Sequence, residues 1–169
     1  MGQNLSLKCS CCDYEIGISL GVGFFFPMLY EETIKEIKEG KLGKTLYRFL
    51  EEHPDGAVDC ERAVLQCETC GALKQGMNFS MYIPKPGFVQ SPHSEWSGAF
   101  PCEGLSYVAK SDLKESYNLY QHYPHRCPRC RKRMIAMNTE EFMIKLNNQE
   151  LLCPDCKSKL EMADMIMWD

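Results

Sequence analysis

Eight of the eleven cysteines in the chain stand in four pairs with the spacing Cys-x-x-Cys. Such a pair, or knuckle, lets two thiolates converge on one ion, and two knuckles supply four soft ligands in a tetrahedron, which selects zinc or iron. A closed shell of four thiolates leaves no position for water or substrate, so these sites usually have a structural role. The candidate ligands are Cys9, Cys12, Cys67, Cys70, Cys127, Cys130, Cys153 and Cys156.

Spacing along the chain predicts which knuckles share an ion. The knuckles at 127–130 and 153–156 are separated by a short insert, so we expect them to form a C-terminal site. The remaining knuckles, 9–12 and 67–70, are then expected to form an N-terminal site, giving two zinc ions in all. Cys11 competes with Cys12 as a ligand, but Cys12 has the better spacing from Cys9.

The last part of the chain resembles zinc ribbons, in which two knuckles sit at the ends of β-hairpins. The resemblance rests on Cys127-Pro128-Arg129-Cys130 and Cys153-Pro154-Asp155-Cys156. Zinc ribbons usually have glycine after a knuckle, whereas Arg131 and Lys157 take that place here. The N-terminal knuckles are similar to rubredoxin-type knuckles, through Cys12-Asp13-Tyr14 and Cys70-Gly71, and to bacterial proteins with paired Cys-x-x-Cys motifs.

Between the first two knuckles the pattern predicts one strand and two helices. Apolar residues alternate over 16–24 with Gly17, Ser19, Gly21 and Gly23, so one face of this strand is nearly without side chains and open to close approach. Helical periodicity follows over 29–39 and 43–52. We expect these two helices to pack on the small-residue face.

Further elements are predicted downstream. Alternation over 77–83 predicts a strand, 111–120 a short helix, and 131–137 and 159–168 two more strands. The segment 138–141 is compatible with a capping box that starts a helix. It is equally compatible with a hairpin whose return strand is 142–146, and the sequence does not separate these alternatives.

These elements predict an α+β protein with two zinc-ribbon-like β units. The first unit covers 1–86 and is elaborated by the two inserted helices. The segment 87–118 is expected to be a loop or linker with a short helix, and 119–169 the C-terminal zinc ribbon. The aromatic, proline-rich stretch 82–100 is a candidate surface for a protein partner.

Composition narrows the class of protein. A net charge of −4 disfavours a surface that binds nucleic acid as a whole. The most apolar window, 16–29, is interrupted by glycines and a proline and is too short to span a membrane. No secretion signal opens the chain, so reduced thiolates in the cytoplasm are expected.

The leftover cysteines and the histidines do not predict an enzyme. A catalytic thiol needs a neighbouring histidine or another activating cation, and no local signature accompanies any of these residues. His125 could replace a ligand, although a surface histidine is the simpler interpretation. The residues concerned are Cys11, Cys60, Cys102, His53, His93, His122 and His125.

A basic segment surrounds the third knuckle. It could hold a phosphate backbone, or it could relieve the negative charge of a four-thiolate centre, and we favour the second interpretation. The sequence therefore predicts a non-enzymatic protein with two structural zinc sites and an unknown protein partner. Nucleic-acid binding is the alternative, and electron transfer through iron in a rubredoxin-like site is a further one. The basic residues are Arg126, Arg129, Arg131, Lys132 and Arg133.

Overall fold

A computed structural model of the chain describes residues 2–88, 94–95 and 101–168. The helices are α1 (Phe26–Lys38), α2 (Lys44–Glu52), α3 (Lys110–Ser116) and α4 (Thr139–Asn147). The strands are β1 (Gly2–Cys9), β2 (Glu15–Gly21), β3 (Ala57–Val58), β4 (Arg62–Cys67), β5 (Leu73–Met77), β6 (Met81–Pro84), β7 (Ser94–Glu95), β8 (Ser106–Tyr107), β9 (Tyr117–Gln121), β10 (Met134–Met137) and β11 (Leu160–Trp168). The strands pair antiparallel, and this mixture confirms the predicted α+β class. No helix of the described residues is long and apolar enough to cross a membrane.

Contacts divide the chain into two compact units, each assembled from separate segments. The first unit holds Met1–Gly23, Glu61–Asn78 and Pro124–Asp169, and the second holds Phe24–Cys60 and Phe79–Tyr123. This division differs from the predicted consecutive boundaries at 86 and 118. The reason is that strands far apart in sequence pair with one another, which no local pattern reports.

The first unit is built on a six-stranded sheet with two three-stranded groups. In one group β1 lies between β2 and β11, and in the other β4 lies between β5 and β10. A single residue pair, Gly21 with Arg62, joins β2 to β4. We call the first group the outer repeat and the second the inner repeat, because the segments of the second lie inside those of the first along the chain.

One hydrophobic core serves both repeats. Alternation along β1 and β2 turns apolar side chains to one face, where α4 covers them with Phe142 and Leu146. The N-terminus of α4 carries the predicted capping box: Glu141 N–H donates to the Asn138 side chain at 2.9 Å, and Asn138 N–H donates to the Glu141 carboxylate at 3.0 Å. The helix alternative for this segment is therefore confirmed. The core residues are Leu5, Leu7, Ile18, Leu20, Val64, Leu73, Met137, Phe142, Leu146, Leu151, Cys153 and Leu160.

The second unit contains α1, α2 and α3 with the three-stranded sheet β3-β6-β9 and the pair β7-β8. Its helices α1 and α2 confirm the predicted helical segments 29–39 and 43–52. Their apolar stripes bury Tyr30, Ile37, Leu46 and Phe49.

Several local predictions are corrected. The strand predicted over 77–83 is two strands, β5 and β6, because Phe79 adopts a positive φ of 58° between them. The predicted helix 111–120 is shorter and ends at Ser116. The residues from Tyr117 onward form strand β9, which pairs with β6. The predicted small-residue face of β2 is open at Gly17, where an added Cβ would meet no described atom within 4 Å. Part of the candidate surface 82–100 lies outside the described residues, as does His93.

Candidate metal centres

The first knuckle of each repeat connects two paired strands. Knuckle 9–12 joins β1 to β2, and knuckle 67–70 joins β4 to β5. A backbone hydrogen bond closes each turn, from Cys9 N–H to Tyr14 C=O and from Cys67 N–H to Ala72 C=O, both at 2.9 Å. A hairpin thus presents two cysteines at its tip.

The second knuckle of each repeat leads into the third strand. Knuckle 127–130 lies between the paired residues Arg126 and Arg133 and continues into β10. Knuckle 153–156 lies between the paired residues Leu152 and Lys159 and continues into β11. Both turns close in the same way as the first knuckles, with Cys127 N–H bonded to Lys132 C=O and Cys153 N–H to Ser158 C=O.

The two repeats also share their strand register. Cys9, the first ligand of the outer repeat, is paired with Leu160 of β11, and Cys67 of the inner repeat is paired with Met134 of β10. Both Leu160 and Met134 stand four residues after the last cysteine of the second knuckle. The first unit is therefore a structural duplication.

The geometry brings all eight predicted ligands into two groups of four. In each group the four Sγ atoms lie within 4.8 Å of one another. The shortest contacts are Cys9–Cys156 at 3.3 Å and Cys12–Cys153 at 3.6 Å in the outer tetrad, and 3.5 Å and 3.6 Å in the inner one. A tetrahedron with metal–sulfur bonds of about 2.3 Å has sulfur–sulfur edges of about 3.8 Å. These contacts are far longer than a disulfide of about 2.05 Å and close to such an edge. The outer tetrad is Cys9, Cys12, Cys153 and Cys156, and the inner tetrad is Cys67, Cys70, Cys127 and Cys130.

The predicted pairing of knuckles is thus wrong. Sequence proximity suggested 127–130 with 153–156 and 9–12 with 67–70, whereas the first knuckle meets the last and the two middle knuckles meet each other. The missed signal was the likeness of the segments 127–134 and 153–160, Cys-Pro-Arg-Cys-Arg-Lys-Arg-Met and Cys-Pro-Asp-Cys-Lys-Ser-Lys-Leu. Two similar knuckles occupy equivalent positions in two repeats, so each needs a different partner.

Backbone N–H groups donate hydrogen bonds to sulfur atoms of the outer tetrad. The N–H of Cys11 points at Cys9 Sγ at 3.3 Å, and the N–H of Asp155 points at Cys153 Sγ at 3.4 Å. Cys11 itself is exposed and outside the tetrad, so Cys12 is the member of the first knuckle, as predicted. The N–H groups of a knuckle thereby stabilise negative charge on its first sulfur.

The thiols within each tetrad differ in pKa. Burial raises the pKa of Cys67, but the backbone N–H groups of Cys70 and Thr69, together with the thiols of Cys130 and Cys70, bring that pKa to about 6. The hydroxyl and N–H of Ser158 likewise lower the pKa of Cys156 to about 6. Each tetrad therefore holds a thiol that ionises near neutral pH, and the thiolate is the form that binds a metal.

The residues after three of the knuckles adopt left-handed backbone. Gly71 has a φ of 76°, and the non-glycine residues Arg131 and Lys157 have φ of 63° and 66°. In each case the N–H of that residue donates to the C=O of the first knuckle cysteine, at 2.9 to 3.0 Å. The turn therefore has the same form with and without glycine, although a side chain at this φ is strained.

The two tetrads differ in enclosure. In the inner tetrad Cys67 and Cys127 are buried, with Leu65, Ala72 and Met134 packed around them as a separate small cluster. In the outer tetrad Cys153 is buried in the main core, but Cys156 is exposed. Solvent therefore reaches the outer tetrad more easily.

Polar contacts link the second knuckle of the outer repeat to the inner repeat. Asp155 pairs with Arg129 at 2.8 Å and raises the pKa of that guanidinium. The ammonium of Lys157 donates to the C=O of Cys70 at 2.9 Å and to the C=O of Pro154 at 3.3 Å. The two tetrads thus lie at the same end of the sheet.

The cations around knuckle 127–130 are exposed. Apart from Arg129, none of them has an ion-pair partner among the described residues. Arg126 and Arg133 even occupy directly paired positions, where like charges repel. The unpaired cations are Arg126, Arg131, Lys132 and Arg133.

The remaining candidate side chains are not members of the tetrads. Cys60 is buried, which raises its pKa well above the usual value, and its thiol donates to Val58 C=O. Cys102 is also buried and donates to Phe24 C=O. His125 is 9% exposed rather than a surface residue, and its Nε2 contacts Asn78 C=O at 2.8 Å. Burial lowers the pKa of this imidazole.

Comparisons with protein-family models, with curated proteins and with solved structures find no match to this chain.

Proposed function

We propose that this chain is a zinc protein with two structural four-cysteine sites, and that each repeat of the first unit is a zinc-ribbon-like module. The observation that carries the proposal is the closure of both tetrads, with four sulfurs turned toward one centre. Four thiolate ligands at this spacing fit zinc. Its filled d shell imposes no preferred geometry, so zinc accepts the tetrahedron that the protein offers. Bound zinc would hold the hairpin tips to the third strands.

The same closure supports a non-enzymatic role. A metal held by four cysteines has no open position for water or substrate, so it cannot activate either. The protein is then an interaction or regulatory module in a reducing compartment such as the cytoplasm. The pairing of eight cysteines in Cys-x-x-Cys units supports that compartment, because metal-binding thiolates must stay reduced.

Elemental analysis of protein purified without chelator or added metal tests this proposal. We expect two zinc ions per chain, and one after Cys67→Ser or Cys153→Ser. Cys11→Ser is the matched control and should keep both ions, because Cys11 lies outside the tetrads. Protein without metal and with eight reactive tetrad thiols would overturn the proposal. Iron with visible absorbance would favour the electron-transfer alternative instead.

A second candidate function is nucleic-acid binding through the basic segment 126–133. The observation that favours it is the set of four exposed cations that have no ion-pair partner in the described part of the chain. No side-chain hydrogen bond or ion pair among the described residues joins these cations to the inner tetrad, whereas the Lys157 ammonium donates to the backbone C=O of Cys70. Unpaired cations spaced along one turn fit a phosphate backbone.

Binding of a labelled single-stranded 15-mer of RNA and of DNA, followed by anisotropy, tests this candidate. We expect affinity to fall about tenfold or more between 50 and 200 mM salt. Replacing Arg126, Arg131, Lys132 and Arg133 with glutamine should abolish binding. The same charge loss at Lys35, Lys38, Lys41 and Lys44 of the second unit should not, and equal loss with both sets would overturn the candidate.

A further inference from the structure

Strand β11 forms an open edge of the first unit. It pairs with β1 from Leu160 to Trp168 with one register shift at Ala163, and no described strand pairs with its other side. An open edge leaves backbone N–H and C=O groups without ladder partners, so it can accept a further strand. At nine residues, β11 is more than twice as long as β10, the equivalent strand of the inner repeat.

Methionines line one face of this edge. Met162, Met165 and Met167 are paired with Leu7, Leu5 and Gln3, so they extend the face that carries the hydrophobic core. They are nevertheless 45 to 55% exposed. Methionine is flexible and polarizable and adapts to varied apolar partners. A strand added at β11 would cover this row.

The other face of the edge is acidic. Glu161 and Asp164 lie there beside Ile166, which is 59% exposed, and neither acid has an ion-pair partner among the described residues. Lys8 of β1 is paired with Glu161, but its ammonium forms its ion pair with Glu15 at 3.6 Å. The Asp164 carboxylate accepts a hydrogen bond from Met165 N–H at 2.8 Å. It thereby occupies a backbone donor that does not pair with β1, which is how a charged side chain protects an edge.

The two faces together specify the occupant. We propose that β11 binds an extended segment of another protein in which apolar and cationic residues alternate. Apolar side chains of the segment would lie on the methionine row, and its cations would pair with Glu161 and Asp164. Once Asp164 turns to a cation, Met165 N–H is free to join the new ladder.

A second copy of β11 is a poorer occupant. The strand has two acids and no base, so pairing two copies would gather four carboxylates at one edge, and the Lys8 that is paired with each Glu161 already forms an ion pair with Glu15. The proposal rests on the interaction role proposed above and names the class of partner for it.

Peptide binding to the zinc-loaded full chain tests the proposal. The probe is a labelled nine-residue peptide of alternating lysine and valine, compared with the same peptide carrying glutamate in place of lysine. We expect the Lys/Val peptide to bind the wild-type chain. Glu161→Lys combined with Asp164→Lys should weaken it about tenfold or more and should create binding of the Glu/Val peptide.

Two further variants separate charge from strand pairing. Glu51→Lys combined with Glu115→Lys changes the net charge equally at exposed sites in the second unit, and it should bind like the wild type. Met165→Pro removes the N–H donor that points away from β1. It should weaken binding of the Lys/Val peptide to the wild-type edge and of the Glu/Val peptide to the charge-reversed edge, because proline cannot donate to the ladder.

Three outcomes would overturn the proposal. One is equal loss of binding in the two charge-reversed variants, and another is equal binding of a Lys/Ser peptide, since either shows only general attraction to an acidic protein. The third is a dimer in light scattering that Met165→Pro dissociates, since a second copy would then cover the edge. Zinc content measured on the same samples keeps the tests apart: two zincs without peptide binding overturn only this proposal, whereas missing zinc overturns the proposed function.

Discussion

The outer and inner repeats have one architecture but expose their second knuckles differently. In the outer repeat, Lys157 donates to two carbonyls and Lys159 donates to the Gln149 side chain. At the equivalent positions of the inner repeat, Arg131 and Arg133 extend into solvent without ion-pair partners in the described structure. Equivalent cations thus form hydrogen bonds within the protein in the outer repeat, whereas in the inner repeat they are exposed to solvent.

The comparison teaches that the equivalent knuckles of a duplicated fold can differ in how far their side chains are engaged in contacts. Cys153 of the outer tetrad is part of the main core, which both repeats share. The inner tetrad has its own small cluster and carries the exposed basic segment. The side chains of the outer knuckle are therefore engaged in contacts within the first unit, whereas the cations of the inner knuckle are exposed, as the proposed nucleic-acid interface requires.

Removing one ligand from each tetrad should have the largest effect. We expect Cys153→Ser and Cys67→Ser each to lose one zinc and to lower the Tm by about 10 °C or more, since structural metal binding is folding free energy. Cys153→Ser should be the more damaging, because Cys153 is fully buried in the shared core and its tetrad joins the two ends of the chain. Thermal unfolding with hydrogen exchange measures both. Unchanged protection of β1 and β11 in Cys153→Ser would contradict a structural role for the outer tetrad.

Chelation should distinguish the tetrads by rate. A chelator must compete for one sulfur at a time, and the exposed Cys156 offers an entry that the inner tetrad lacks. We expect two phases of zinc release to a colorimetric chelator, with the faster phase absent in Cys153→Ser and the slower absent in Cys67→Ser. A single phase that disappears from neither variant would show that enclosure does not control release.

The sequence predicted the local parts of this protein well. Periodicity located α1, α2, β2 and β11, and the Cys-x-x-Cys spacing found the eight cysteines that form the tetrads. Each of these features depends on residues close together in the chain.

The sequence failed where a feature depends on distant segments. Loop-closure cost grows slowly with loop length, so the 54 residues between Cys12 and Cys67 did not decide the partner of either knuckle. The break at Phe79 was hidden because a bulky residue rarely adopts positive φ. Burial of His125 depends on its contact with Asn78, which no local pattern around His125 indicates.

Glycine after the second knuckles should sharpen the contrast between the repeats. In Arg131→Gly, relief of the left-handed backbone strain stabilises the folded state by about 1–2 kcal/mol. The greater flexibility of glycine in the unfolded chain offsets about 0.5–1 kcal/mol of that gain. The free energy of unfolding should therefore rise by up to about 1.5 kcal/mol, because the Arg131 side chain has no ion-pair partner to lose among the described residues. Lys157→Gly relieves the same strain but loses two hydrogen bonds to carbonyls, so we expect no gain or a net loss. Urea denaturation measures both, and equal gains would mean that the Lys157 contacts contribute nothing.

The smallest effect is expected from the ion pair between the repeats. Arg129 and Asp155 are both 49% exposed, so solvent screens their attraction. Arg129→Ala and Asp155→Ala, alone and together, should each change the Tm by no more than about 2 °C, with little coupling between them. A large coupling in this double-mutant cycle would show that the surface pair holds the repeats together. A small coupling would mean that buried contacts hold the repeats together. These are the contacts of Val64, Leu73 and Met137 with the outer strands, and deletion of a surface charge leaves them intact.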